Sequence, residues 1–184
     1  MHPSGLVKAR HEGLRERYRE APADAWIRDR ARAVHDQDDD PFHGVVRVGE
    51  HDVGEMRFGI HRALGGDHDL PNPGDILCAA LAACLDATLR VIADRLAVPI
   101  GFLEVSVTGE LDARGPLRIE STVPAGFQAM TCRVTLEPDG DVAAPQVAML
   151  IAAAEQCCVV LNTLRGGVPV ATRIERRAGA TVGG

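Results

Sequence analysis

The chain has 184 residues, enough for one domain with its own core. Hydrophobic residues make up 46% and charged residues 25%, an ordinary globular balance, and with aromatics at only 3% the core must be built from Ala, Val, Leu and Ile. A formal net charge of −6 argues against a nucleic-acid binder, which carries clustered Lys and Arg.

Residues 5–35 read as helical. Their arginines are interleaved with Asp and Glu, and Pro22 divides the stretch into two helices. The acidic, turn-rich stretch Asp36 to Pro41 suits a linker. The expected organisation is therefore an N-terminal helical extension, residues 1–40, followed by one domain, residues 41–184. Met1 to Arg10 has no apolar segment of the signal-peptide kind. Gly44 to Gly49 and Glu55 to His61 read as two short strands with a turn near His51 to Gly54, and Gly65 to Gly74 reads as a loop.

A helix start follows. Asn72 is placed to cap, Pro73 fits the first helical position, and Asp75 sits where its charge suits the helix dipole. From Asp75 to about Leu96 the pattern is helical and apolar on most sides, as in a helix buried by its neighbours or by a partner chain. Its longest apolar run, Ile76 to Leu85, is too short to span a bilayer, and Asp86 and Arg90 interrupt the continuation. No membrane association and a cytoplasmic location are the expectation. Phe102 to Leu111 and Met130 to Leu136 alternate as strands. A second apolar helix runs from Pro145 to about Leu164, stopped by Gly166-Gly167. Val168 to Ile174 reads as a last strand, and the Gly-rich tail from Gly179 as frayed. The order predicts an α+β fold.

The five cysteines are Cys78, Cys84, Cys132, Cys157 and Cys158. An odd count without a CxxC argues against a disulfide framework, a zinc knuckle or a thioredoxin-type motif. The seven histidines show no ligand spacing, so neither a metal nor a cofactor is expected. Cys84 lies about three turns into the first apolar helix, on a stripe with Leu77, Leu81, Thr88 and Val91. By residue type it is either a thiol packed as a small hydrophobe or a reactive one. Cys157 and Cys158 point about 100° apart on a continuous helix. Cys157 then shares the core face with Leu150, Ala153, Leu161 and Leu164. Cys158 shares a face with Ile151, Ala154, Asn162 and Arg165 that turns polar, and is the better candidate for chemistry. Cys78 and Cys132 read as structural.

Two segments resemble the OsmC/Ohr family. One is Asn-Pro-Gly-Asp-Ile-Leu-Cys-Ala-Ala-Leu-Ala-Ala-Cys-Leu-Asp-Ala-Thr-Leu, residues 72–89. The other is Ala-Glu-Gln-Cys-Cys-Val-Val-Leu-Asn-Thr-Leu, residues 154–164, with Gly-Gly-Val-Pro-Val soon after. The resemblance covers about residues 42–176. It implies an antiparallel sheet packed around two long apolar helices in an intertwined homodimer. It also implies a two-cysteine peroxidase acting on organic hydroperoxides, with Cys84 as nucleophile and Cys158 as resolving cysteine. The substrate would be a hydrophobic organic peroxide, and a small or protein dithiol would regenerate the pair. Cys157 as the resolver stays open.

The sequence also departs from the family pattern. Many peroxide-reducing members have Glu directly after Asn-Pro, where this chain has Gly74 followed by Asp75. Where they have an Arg before the first strand, this chain has Phe42 or His43. Cys84 is mid-helix, far from its own helix N-terminus, so a reactive Cys84 calls for a cation, and Arg57, Arg62 and Arg165 are the candidates. The departures keep a second reading open, a non-catalytic OsmC-like stress-response or small apolar ligand-binding protein.

Overall fold

The computed structural model describes residues 5–35 and 40–175. The expected tail from Gly179 and most of the expected linker lie outside them. The element order is α1 (Leu6–Glu20), a 3-10 turn (Pro22–Ala25), β1 (Ala31–Ala33), β2 (Gly44–Val48), β3 (Gly54–Phe58), a second 3-10 turn (Arg62–Leu64), α2 (Pro73–Leu96), β4 (Ile100–Glu110), β5 (Ala129–Pro138), α3 (Ala144–Cys157) and α4 (Val159–Gly166).

This is the expected α+β fold, with its antiparallel pairing divided between two sheets. β1, β2 and β3 form one, and β4 and β5 form the other. In the second sheet Leu103, Val105 and Val107 stand opposite Leu136, Val134 and Cys132. Their shared face packs against the core, whose buried members include Leu81, Leu85, Leu89 and Ile92 of α2, Leu150 and Ala154 of α3, Leu161 of α4, and Cys158. α2 lies against β4, α3 and α4 and is the central element.

The start of α2 is fixed by its sequence. Asn72 Oδ1 accepts the amides of Gly74 at 2.8 Å and Asp75 at 3.2 Å. Asp75 Oδ2 in turn accepts the Asn72 amide at 2.9 Å, a reciprocal capping box with Pro73 in the first turn. Three of these bonds satisfy amides that the helix itself leaves unpaired. The helix ends at Ala97, which adopts φ 55°, so the chain turns sharply into β4. By length and composition α2 is apolar enough to cross a membrane, although its longest uninterrupted apolar run is short. One side of it forms the core. The other side, with Ala79, Ala83 and Ala87, is exposed.

Four expectations are corrected. Residues after Pro22 do not form a second helix: a 3-10 turn leads into β1, which gains its strand geometry by pairing with β2. β3 stops at Phe58, before His61. The second apolar helix is not continuous to Leu164. It breaks at Cys158, where ψ is 110°, and α3 and α4 meet at a bend of 62°. Residues 168–174 form no strand; Val168, Val170 and Ile174 are exposed and have no sheet partner within the described residues of this chain.

The expected extension touches the rest of the chain. The Val7 amide donates to Asp94 Oδ2 at 3.1 Å, and β1 joins the sheet of β2 and β3.

Candidate thiol site

Cys84 and Cys158 meet. α2 carries Cys84 on its inner side, and the α3–α4 break carries Cys158 onto it, with the sulfurs 3.4 Å apart and the Cys158 thiol donating. Cys158 is 0% exposed, and Cys84 is half-buried. This reverses the expectation for the neighbouring pair. On a continuous helix Cys157 would face the core, but the break ends the regular 100° rotation, turns Cys158 inward beside Leu150, Ala154 and Leu161, and leaves Cys157 exposed.

The two sulfurs are tuned in opposite directions. Burial pushes the Cys84 thiol up, but the amides of Val160 and Val159 and the thiol of Cys158 favour its thiolate, and it lies below the ordinary cysteine value, while the Thr88 hydroxyl donates to the Cys84 carbonyl at 2.7 Å. Burial pushes Cys158 up, and the adjoining Cys84 sulfur, which favours a proton staying on Cys158, adds to this against the opposing Leu161 amide. The Cys158 thiol therefore donates to the sulfur whose thiolate form is the more favoured of the two. Cys78 and Cys132 are both pushed up, first by burial. All five cysteines are free thiols.

The stabilising groups are those the sequence reading missed. Of the three candidate cations, Arg165 is bound to Glu155 at 3.2 Å, and Arg57 and Arg62 are exposed on β3 and the second 3-10 turn. Asp75 serves the helix cap. His43 lies between two carboxylates, bonded by Nδ1 to Asp40 and by Nε2 to Asp69 at 3.0 Å. The cap comes instead from α4. Its first amides have no partner within the helix, and they present partial positive charge where Cys84 sits. No Gly or Pro marks the break in the sequence.

Two clefts border α2. One, of about 980 Å³, is lined by His61, Cys78, Glu110 and Phe127, and the other, of about 640 Å³, by Leu77, Leu81, Cys132 and Val134; neither is lined by Cys84 or Cys158. Among the described residues no group of three or more His, Cys, Asp or Glu could hold a metal ion.

The fold is that of known structures. An organic hydroperoxide resistance protein OsmC from Legionella pneumophila matches with a TM-score of 0.58 at 20% identity, over 77% of this chain and 92% of that one. An organic hydroperoxide resistance protein from Elizabethkingia anophelis matches at 0.57 and 23% identity, over 78% and 91%. An OsmC-like protein from Mycoplasma pneumoniae matches at 0.57 and 18% identity, over 77% and 89%. Among curated protein sequences there is no significant match. The family model for OsmC-like proteins matches residues 66–173, which hold both α2 and the α3–α4 break, and the chain belongs to that family.

Proposed function

We propose that the protein is a thiol-dependent peroxidase that reduces organic hydroperoxides, with Cys84 as nucleophile and Cys158 as resolving cysteine. The observation that carries this reading is the 3.4 Å pair itself, one sulfur favoured as thiolate and the other kept protonated. The Cys84 thiolate attacks one oxygen of R–O–O–H and the O–O bond breaks. The alkoxide leaves, takes up a proton as ROH, and Cys84 becomes a sulfenic acid. Cys158 then attacks the Cys84 sulfur, water leaves, and a disulfide forms before further oxidation. A small or protein dithiol returns both sulfurs to the thiol state while becoming a disulfide itself. The Leu- and Ala-rich surroundings of Cys84 suit a hydrophobic peroxide.

The same reading makes the protein a cytoplasmic homodimer. The exposed alanines of α2 and the exposed Val168, Val170 and Ile174 are apolar surface that a second copy would cover.

The test is stopped-flow consumption of cumene hydroperoxide by the reduced protein. Wild type is expected to consume it rapidly, with Cys84→Ser inactive. A Cys84→Ser variant as fast as wild type overturns the assignment. A binding role without turnover is the second reading, favoured by Phe42 and His43 standing where peroxide-reducing members have Arg, with His43 bonded to Asp40 and Asp69. It requires a Cys84 pKa at or above the free-thiol value of about 8.5.

A further inference from the structure

The break at Cys158 brings two helix ends together. α3 ends there with carbonyls that its own helix leaves unpaired, and α4 begins there with unpaired amides. These ends carry opposite partial charges, and only the positive end favours a thiolate. Asn162 sits one turn into α4 and reaches back across the break. Its Nδ2 lies 2.9 Å from the Glu155 carbonyl, 3.3 Å from that of Gln156 and 2.8 Å from that of Cys158. One amide group thus covers the negative end of α3 and ties it to the first turn of α4. The only charged residues of the two helices, Glu155 and Arg165, are paired with each other, so the local field is set by backbone dipoles.

We propose that Asn162 is a positioning residue: it fixes the α3–α4 break so that the Val159 and Val160 amides stay directed at the Cys84 sulfur. This rests on the reading of Cys84 as the reactive thiol, and it assigns the source of that reactivity to a side chain that touches neither sulfur. Asn162 is exposed, and its bond to Cys158 is to the main-chain carbonyl, not to the sulfur.

The experiment is pH-dependent alkylation of the full chain by iodoacetamide, with each cysteine followed separately by peptide mass spectrometry. In Asn162→Ala and Asn162→Asp, Cys84 is expected to titrate higher and to alkylate on the order of tenfold more slowly at neutral pH for each unit gained. Asn162→Gln keeps both N–H donors on a longer side chain and is expected to recover most of the rate. Cys78 and Cys132 report general loosening. If they become faster together with a change at Cys84, the Gln variant decides: recovery upholds the proposal, and behaviour like the Ala variant overturns it. An unchanged Cys84 profile in Asn162→Ala also overturns it. Peroxide consumption is not part of this readout, so a failure of the peroxidase reading would leave the alkylation result intact.

Discussion

Cys158 donates to Cys84 across 3.4 Å from a fully buried position at the end of a broken helix, while Cys157, one residue earlier, is exposed. The approach is close enough that a disulfide requires a shift of little more than one ångström, to about 2.05 Å between sulfurs.

One equivalent of cumene hydroperoxide is therefore expected to join Cys84 to Cys158. Peptide mapping of the oxidised chain checks this. Cys157→Ser should form the same bond at the same rate. Cys158→Ser should leave Cys84 as a sulfenic acid that dimedone traps and excess peroxide over-oxidises. A bond from Cys84 to Cys157 would refute the assignment.

Leu150 is 0% exposed and packs beside Cys158 in the core. Leu150→Ala is expected to lower stability by about 2–5 kcal/mol through the lost apolar contact and the cavity left behind. Urea unfolding followed by circular dichroism measures the loss. A cost below that of a surface substitution would mean that the α2–α3 contact is not the core.

The capping box at α2 predicts a smaller effect. Asn72→Ala removes an acceptor for two amides and is expected to cost about 1 kcal/mol. The same unfolding experiment reads it, and Asn72→Ser should recover most of the loss, because serine can accept the same amide bonds.

His43 predicts a pH dependence. Its bonds to Asp69 and Asp40 raise its pKa from the ordinary 6.5 to about 9. Its folded value lies above its unfolded one, so its contribution to stability is complete below about 6.5 and is lost as pH rises through 9. The two carboxylates are lowered by the same bonds, so their contribution is present above the ordinary 3.8 and lost as pH falls below it. The Tm difference between wild type and His43→Gln should be greatest between these limits and should shrink at alkaline pH. A difference that does not vary with pH would show that the contact is not charged.

α2 was legible from the sequence because its signals are local. Asn72, Pro73 and Asp75 sit within one turn, and the apolar period behind them is long. Cys84 follows from that helix. The α3–α4 break was not legible. The period of the apolar residues runs on through Cys157 and Cys158 without Gly or Pro, although α3 and α4 each pack against α2 across a bend of 62°. A helical projection assumes a straight axis, so it exchanged the surroundings of the two cysteines. The stabilising groups escaped notice for a different reason. Backbone amides are present at every residue, and only the break makes those of Val159 and Val160 available. β1 is three residues long and alternates no pattern of its own, so only its pairing with β2 makes it a strand. Residues 168–174 show the converse, with strand-like alternation but no neighbouring strand among the described residues.

The groups that lower the pKa of Cys84 are neutral donors, main-chain amides and the Cys158 thiol among them, with no charged side chain. Dissolved ions attenuate attraction between separated charges over about 10 Å at ordinary ionic strength, but they do not displace a hydrogen bond formed at contact in a half-buried site. The thiol should therefore keep its reactivity as salt rises, where a thiolate held by an exposed guanidinium would lose part of it.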